Sequence, residues 1–380
     1  MPQHAQNAAE RARVVVAMSG GVDSSVAAGL LIEQGYDVVG VTMRLWSLDD
    51  PAAPRHHRRC CSVEDTDDAR AAADALGIPH YVLNFERQFS EGVVDHFVAE
   101  YARGRTPNPC LACNDRVKFR PLLEHALALG AGFLATGHYA RVRPYGRPRR
   151  AVWPSGRENG RGFELLRAVD PDKDQSYVLY TLGQAELART LFPVGEHPKD
   201  EIRRLARRWR LPNADKPDSA DICFIPSGDY RSFVRERAGA RPGAIVDTAG
   251  NALGRHEGIA GYTVGQRRGL PARGGGEPLY VIALEPESDS IVVGTQEELW
   301  SGGLIAEELT FVDGRVPQQP IEVQARIRYR SEPAPALLTV TGARAEVRFV
   351  RPQRAVSPGQ AAVFYDGDRV LGGGTIIRPL

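Results

Sequence analysis

Cysteine, long apolar runs and net charge are all scarce in this sequence. Five cysteines in 380 residues are too few to staple a fold of this size with disulfides. A reducing, cytoplasmic setting is therefore expected, and cysteine spacing matters more than cysteine number. No run of about 18 apolar residues occurs, and the first twelve residues are polar and Ala-rich, so neither a membrane span nor a secretory signal is expected. The 48 Lys and Arg are balanced by 47 Asp and Glu, a formal net charge of +1. That excludes a uniformly basic nucleic-acid protein but leaves local basic patches open. No internal repeat is visible. What is present is an ordinary globular composition, 42% hydrophobic and 25% charged, over a length that predicts two or three domains.

The first part of the chain reads as an α/β unit. Val14 to Met18 is a short apolar run, followed by a Gly-Ser turn and a helical stretch with Val26, Leu30 and Leu31 on one face, ending near Gly35. Val38 to Met43 is a second buried-strand run, so strand, turn, helix and strand form a βαβ unit with a parallel sheet. Asp67 to Leu76 continues as a helix, His80 to Leu83 as a strand, Ser90 to Tyr101 as a helix and Phe133 to Thr136 as a strand. Pro121 marks a helix start or kink. Beyond about residue 215 helical periodicity fades. Short β-rich runs take over: Tyr280–Ala283, Ser290–Val293, Val323–Tyr329, Ala336–Val340, Ala345–Val350 and Ala361–Tyr365, which predict a small antiparallel barrel. The expected domains are 12–216, a doubly wound α/β domain; 217–290, a small connecting domain; and 291–380, a β-barrel.

Ser19-Gly20-Gly21-Val22-Asp23-Ser24-Ser25 lies between strand and helix. Two glycines let the backbone turn sharply and present successive N–H groups, and serine hydroxyls and the helix N-terminus add donors, which makes a phosphate cradle. It is neither GxxxxGK[ST], since no Lys follows, nor GxGxxG. The bland alternative is a Gly-rich βα turn. Thr106-Pro107-Asn108-Pro109-Cys110-Leu111-Ala112-Cys113 reads as a Pro-stiffened loop carrying a CxxC pair. Such a pair binds zinc, exchanges disulfides, ligates an iron–sulfur cluster or supplies a nucleophile. With no second CxxC and no spaced histidine pair, a four-ligand zinc site is disfavoured. Cys223, alone, reads as a small buried hydrophobe or, beside a second reactive cysteine, as a sulfur carrier. Cys60-Cys61 reads as a loop. Arg141–Arg150 and Arg203–Arg210 hold five arginines each, either solvated surface or phosphate contacts.

SGGVDSS resembles the signature of the PP-loop ATP pyrophosphatases. Together with TPNPCLACN, ATGHYAR, KDQSYVL, KPDSADICFIP, GYTVGQRRGL and ARIRYR, in this order along nearly the whole chain, it resembles the tRNA-specific 2-thiouridylase family. The resemblance implies a PP-loop, HUP-like sheet and ATP-dependent sulfur transfer to C2 of the wobble uridine of tRNA through an adenylated uridine, with AMP and pyrophosphate released. Carried over by motif, Cys113 is the nucleophile and Cys223 the persulfide carrier. Ala17, Met18, Ser19, Gly20, Gly21, Val22, Asp23, Ser24, Met43 and Gly137 line the site for ATP, used with Mg2+. Asn108, Pro109, Cys110, His138, Lys173, Asp174, Gln175, Arg328, Tyr329 and Gln360 face tRNA, with Tyr329 on a strand. The expected partners are tRNA and a sulfur-relay protein or cysteine desulfurase, acting on a monomer. Many members carry Asp where Cys110 stands, so a carboxylate role there is absent, moved or taken by the thiol. The alternative reading of the thiols makes Cys110, Cys113 and Cys223 ligands of a [4Fe-4S] cluster with one open iron. Two rivals for the whole chain are a PP-loop synthetase or amidotransferase acting on a small metabolite, and a redox-responsive RNA-binding protein without turnover.

Overall fold

A computed structural model describes residues 12–46, 63–144, 162–218, 222–225, 228–239, 241–271 and 278–380. The chain begins β1 (Arg13–Ala17), α1 (Val22–Glu33), β2 (Asp37–Arg44), α2 (Val63–Leu76), β3 (His80–Asn84), α3 (Glu86–Phe89), α4 (Asp95–Ala102), α5 (Pro109–Cys113) and α6 (Arg120–Ala128). It continues β4 (Phe133–Thr136), β5 (Ala140–Pro144), β6 (Phe163–Arg167), α7 (Gln184–Leu187), β7 (Thr190–Leu191), α8 (Lys199–Arg208) and α9 (Tyr230–Ala238). The remainder is β8 (Gly243–Asp247), β9 (Ala252–His256), β10 (Tyr280–Glu285), β11 (Ser290–Gly294), β12 (Trp300–Phe311), β13 (Ile321–Arg326), β14 (Ala334–Thr341), β15 (Arg344–Arg354), β16 (Ala361–Asp366) and β17 (Arg369–Pro379). Two compact units result. The first holds the described residues of 1–89, 116–176 and 184–220, and the second those of 90–115, 177–183 and 221–380. Cys60 and Cys61 and most of the Arg141–Arg150 run lie outside the described residues.

The first unit is built on a parallel five-stranded sheet in the order β3-β2-β1-β4-β7. Val14, Val15 and Val16 pair with Val38, Val39 and Gly40 on one side and with Phe133, Leu134 and Ala135 on the other. A central strand covered on both faces has no solvated side, which is why its sequence is an unbroken valine run. Each such side chain removed from water contributes roughly 1.5–3 kcal/mol. Helix α1 is buried almost all round because α8 lies over it, burying Ile202 and Ala206 and leaving its arginines outside. The ring of Trp209 rests where a Cβ on Gly29 would stand, 2.3 Å away. The strand order reverses between β1 and β4, and in such sheets the crevice at the strands' carboxyl ends is the ligand site.

The second unit contains two β layers and the segment that carries the CxxC pair. A four-stranded sheet, β10-β11-β8-β9, packs Ile245, Val281, Ile291 and Val293 into its own core. Strands β12-β15-β14-β13-β16-β17 follow, and β12 pairs antiparallel with β17 from Leu304 to Phe311, closing a six-stranded antiparallel barrel. Ala345, Val347 and Phe349 alternate inward along β15. The fold is therefore a doubly wound parallel sheet, a small central domain and a C-terminal barrel.

Three local expectations are corrected. Residues 109–113 are helical rather than loop, because Asn108 Oδ1 accepts the Cys110 N–H at 3.0 Å and Pro109 stands in the first turn, the pairing of cap and proline that starts helices. The helix over 90–101 contains a π-helical turn at Ser90–Val94. The strand expected to run to Tyr329 stops at Arg326, since the Arg326 guanidinium donates to the Tyr329 carbonyl and folds the chain back. Tyr329 thus sits in a turn.

Candidate active site

The turn after β1 is fixed from several directions. Met18 N–H donates to the Val41 carbonyl and the Thr42 hydroxyl donates to the Met18 carbonyl, both at 2.8 Å. Ser19 N–H donates to Ser24 Oγ at 3.1 Å, and the Ser24 and Ser25 hydroxyls donate to the Gly21 carbonyl. Asn213 Nδ2 donates to the Gly20 carbonyl at 3.0 Å and to Ser25 Oγ at 2.9 Å. Gly20 has φ +74°, and a Cβ there would stand 2.2 Å from the Asp65 carbonyl oxygen, so conformation and space both demand glycine. Gly137, just past β4, backs onto the first turn of α1, where a Cβ would stand 2.6 Å from the Ser24 nitrogen. Helix α1 has no side-chain cap at Gly21, leaving its first N–H groups to an anion. Ala17 pairs with Val41 in β2 and with Thr136 in β4. The carboxyl ends of β1, β2 and β4 therefore bring Ala17–Ser24, Met43 and Gly137 to one edge of the sheet.

Around that edge runs an ionic network that motif reading did not single out. Lys199, with a side chain 8% exposed, donates to both oxygens of Asp23 at 2.7 and 2.8 Å and lies 2.8 Å from Asp218. The Tyr139 hydroxyl donates to Asp23 Oδ1 at 2.8 Å. Burial and the Asp23 charge push the Tyr139 phenol up, so it remains a neutral donor. Asp218 also receives Lys173 at 2.9 Å and Arg203 at 3.1 Å. Burial opposes its ionisation, but the hydrogen bonds from Lys199 and Lys173 outweigh that and hold its carboxyl below the usual range. The Asp218 hydrogen bond in turn raises the Lys173 ammonium, against a smaller burial effect. Lys216 bridges Asp65 and Asp68, both at 2.6 Å. The result is a row of four cations, Lys173, Lys199, Arg203 and Lys216, held beside the phosphate loop.

The residues assigned to tRNA fall in both units. In the first, His138 lies between the rings of Phe119 and Phe192, with Nδ1 at 2.7 Å from Thr136 Oγ1. Burial pushes its imidazole well down, helped by Lys118, so it is neutral. Asp174 is buried, and its carboxylate accepts from Ala168 N–H, Ser176 N–H and Ser176 Oγ. It shapes the turn that presents Lys173. Gln175 Oε1 accepts the Tyr139 N–H at 2.9 Å. Arg207 and Arg208 in the second arginine run pair with Asp215 and Glu33.

In the second unit the barrel is tied to the CxxC segment. Gln360 Nε2 donates to the Thr106 carbonyl at 2.7 Å, and Thr106 N–H donates to the Pro358 carbonyl at 2.8 Å. The Tyr177 hydroxyl donates to the Ala361 carbonyl at 2.9 Å, and its ring meets that of Tyr329 at 6.1 Å. Arg328 donates to the Ala355 carbonyl, and burial lowers its guanidinium. Asn108, Pro109 and Cys110 thus share one neighbourhood with the 357–361 turn of the barrel. Cys110 is exposed, Cys113 is buried and Cys223 is intermediate, and all three are thiols. Cys223 precedes Phe224, which is anchored between Phe97 and Phe233 at 5.4 and 5.5 Å. Among the described residues no three His, Cys, Asp or Glu are gathered as metal ligands.

Among the described residues no helix is long and apolar enough to cross a membrane. Comparison with known proteins finds three family models in sequence. The one described as tRNA methyl transferase HUP domain matches residues 12–227, the tRNA methyl transferase PRC-barrel domain matches 231–295, and the aminomethyltransferase beta-barrel domain matches 301–376. A relative from Carboxydothermus hydrogenoformans, named tRNA-specific 2-thiouridylase MnmA, is 49% identical over 374 residues, covering 97% of this chain and 99% of its own. Relatives of the same name from Roseiflexus castenholzii and Geobacter metallireducens are each 50% identical over 372 residues. They cover 97% and 96% of this chain and 100% and 97% of their own. Near-complete coverage at this identity, on the sheet, loop and thiols described, shows that the chain belongs to the tRNA-specific 2-thiouridylase family.

Proposed function

We propose that this protein is a tRNA-uridine 2-sulfurtransferase that replaces the C2 oxygen of the wobble uridine with sulfur at the expense of ATP. The observation that carries this reading is the glycine loop at the β1/β4 switch point, backed by Gly137, in a chain about half identical to 2-thiouridylases along its length. An amide-like oxygen is a poor leaving group, so the reaction needs prior activation. ATP supplies it. The loop and α1 hold the triphosphate, uridine O2 attacks the α-phosphorus, and pyrophosphate leaves beside Lys199, Lys173 and Lys216, whose charges match the one that develops there. Both oxygens of Asp23 are already taken by Lys199 and Tyr139, so Mg2+ would be carried by the phosphates of ATP itself.

Sulfur transfer then uses the thiols. A persulfide on Cys223 attacks C2 with its outer sulfur, the C2–O bond breaks and AMP leaves. The Cys113 thiolate attacks the Cys223 sulfur, the S–S bond to the base breaks, and 2-thiouridine is released with a Cys113–Cys223 disulfide left behind. A dithiol reductant resets it, and a sulfur-relay protein or cysteine desulfurase reloads Cys223. Two thiols in one compact unit, one at the end of α5 and one in a segment anchored by Phe224, support this division of labour. Cys110 is exposed beside the Asn108 cap and faces the target base with Asn108 and Pro109. His138, Lys173, Gln175, Arg328, Tyr329 and Gln360 contact tRNA, and Asp174 sets the turn for Lys173. The protein acts as a monomer in the cytoplasm.

The test is AMP and pyrophosphate release, with and without tRNA. Equimolar release dependent on tRNA is expected. Release without RNA would favour a small-metabolite synthetase, and no release with tRNA would favour a non-enzymatic RNA binder.

A further inference from the structure

The central sheet carries a second concentration of positive charge that the nucleotide and thiol chemistry leaves unused. A cavity of about 250 Å3 opens between α9 and the end of β9, lined by Arg231, Arg235, Arg255, His256, Glu257 and Tyr262 among others. Residues 231–270 hold seven arginines and three carboxylates, in a chain whose net charge is only +1. Arg231 and Arg235 are four residues apart on α9, which puts them on one face of the helix. Asp229 fixes that end of the helix by accepting the Ser232 N–H at 3.2 Å. Arg255 reaches the cavity from β9. Arg235 is paired with Glu257 at 3.2 Å, but among the described residues neither Arg231 nor Arg255 has a carboxylate within ion-pair distance. The wall behind them is rigid. His256 is buried, with Nε2 at 2.9 Å from the Asp289 carbonyl, Nδ1 accepting the Gly258 N–H at 3.0 Å and its ring against Tyr262.

We infer that this cavity is a phosphate site that takes a backbone phosphate of the RNA substrate, which rests on the tRNA reading above. Two guanidinium forks on one concavity, Arg231 (its guanidinium 5.9 Å from the Tyr230 ring centroid) and Arg255, neither with a carboxylate in ion-pair distance among the described residues, match the oxygens of a phosphate. The volume lies below the roughly 300–1,000 Å3 usual for small-molecule pockets, and arginine and glycine line it where such pockets are apolar. The Tyr262 ring meets His256 in a T-shaped contact at 5.8 Å, and arginine is the side chain that recurs in the lining. The cavity therefore reads charge and not sequence, as backbone-positioning contacts do. Because the chain's net charge is only +1, patches of this kind must supply its attraction to RNA.

The experiment measures tRNA binding by the full chain from 50 to 300 mM salt, for wild type, Arg231→Ala/Arg255→Ala and Arg231→Lys/Arg255→Lys. Each lost phosphate contact lowers the slope of log K against log salt by about 0.7–0.9. The alanine double variant should therefore lose about 1.4–1.8 from its slope and bind about tenfold more weakly near 150 mM, and the lysine variant should keep most of both. Both arginines are exposed, and a circular dichroism melt matching wild type accompanies the comparison. An unchanged slope in the alanine variant overturns the inference while leaving the thiolation reading intact. Calorimetry with inorganic phosphate separates the other source: saturable binding lost in the alanine variant, with tRNA slope unchanged, would make this a small-anion site and overturn the RNA assignment. Wild type that fails to bind tRNA at all would overturn both readings.

Discussion

Gly137→Ala is the smallest change that should disable the phosphate loop. The new Cβ would lie 2.6 Å from the Ser24 nitrogen, 2.8 Å from the Asp23 carbonyl carbon and 2.9 Å from the Ser24 Cα. Ordinary contact begins near 3.4 Å, so backbone must separate by 0.8 Å, and no side chain is available to rotate away. Overpacking of this kind costs about 1–3 kcal/mol. The functional cost is larger, because the displaced atoms are the first N–H groups of α1, and a misplacement of about 1 Å lowers a rate by about a hundredfold. Steady-state pyrophosphate release in the presence of tRNA, read beside a thermal melt, should show that loss with a modest fall in stability. Gly77→Ala is the control: φ there is +68° with nothing within 4 Å of the added Cβ, so it should cost about 1 kcal/mol of stability and leave turnover alone. Gly137→Ala protein within threefold of the wild-type rate would refute the loop assignment.

Lys199→Met leaves Asp23 and Asp218 without their shared cation. It should cost about 1–3 kcal/mol, discounted for the partial exposure of both carboxylates, and slow pyrophosphate release more than it weakens tRNA binding; equal effects on both would contradict its place beside the triphosphate. Asp218 has a folded-state pKa below its unfolded value near 3.8, so its stabilisation is complete above that pH and is lost as the pH falls through the lower, folded value. Asp218→Asn should remove this contribution and flatten the acid limb of the melting-temperature profile, and an unchanged limb would count against the network. Under the persulfide route Cys223→Ser adenylates tRNA but carries no sulfur, and Cys113→Ser releases AMP once but stalls with the base held to Cys223 through an S–S bond. Cys110→Ser keeps substantial activity; an inactive Cys110→Ser protein, with wild type inhibited by iron removal, would reverse that assignment.

The parts of the fold that sequence revealed are those whose cause is local. The valine run of β1, the glycine turn and the buried face of α1 lie within about twenty residues, and each has one structural solution. The short alternating strands of the barrel were equally legible, since side chains in β15 alternate faces as the period of two requires. The ionic network was not, because Asp23 and Lys199 are 176 positions apart and Lys199 begins a helix whose visible pattern is its arginines. Tyr139 and Lys216 lie inside ATGHYAR and KPDSADICFIP, motifs whose visible signal is carried by their neighbours. At Cys110 the two prolines suggested a loop, and the Asn108 cap that turns them into a helix start acts over only two residues. Asp174 reads as a charged surface residue in Lys173-Asp174-Gln175, yet four hydrogen-bonding or ionic contacts spend it inside the turn.

The central claim is sulfur transfer to a tRNA base driven by ATP, and nucleoside mass spectrometry reads it directly. Purified protein, unmodified tRNA, ATP, Mg2+ and a persulfide-generating donor are incubated, and the tRNA is digested to nucleosides. The account predicts 2-thiouridine that appears only with ATP and is lost in Cys223→Ser and Gly137→Ala proteins. Pyrophosphate release without any thiolated nucleoside, or 2-thiouridine formed equally well without ATP, would contradict it.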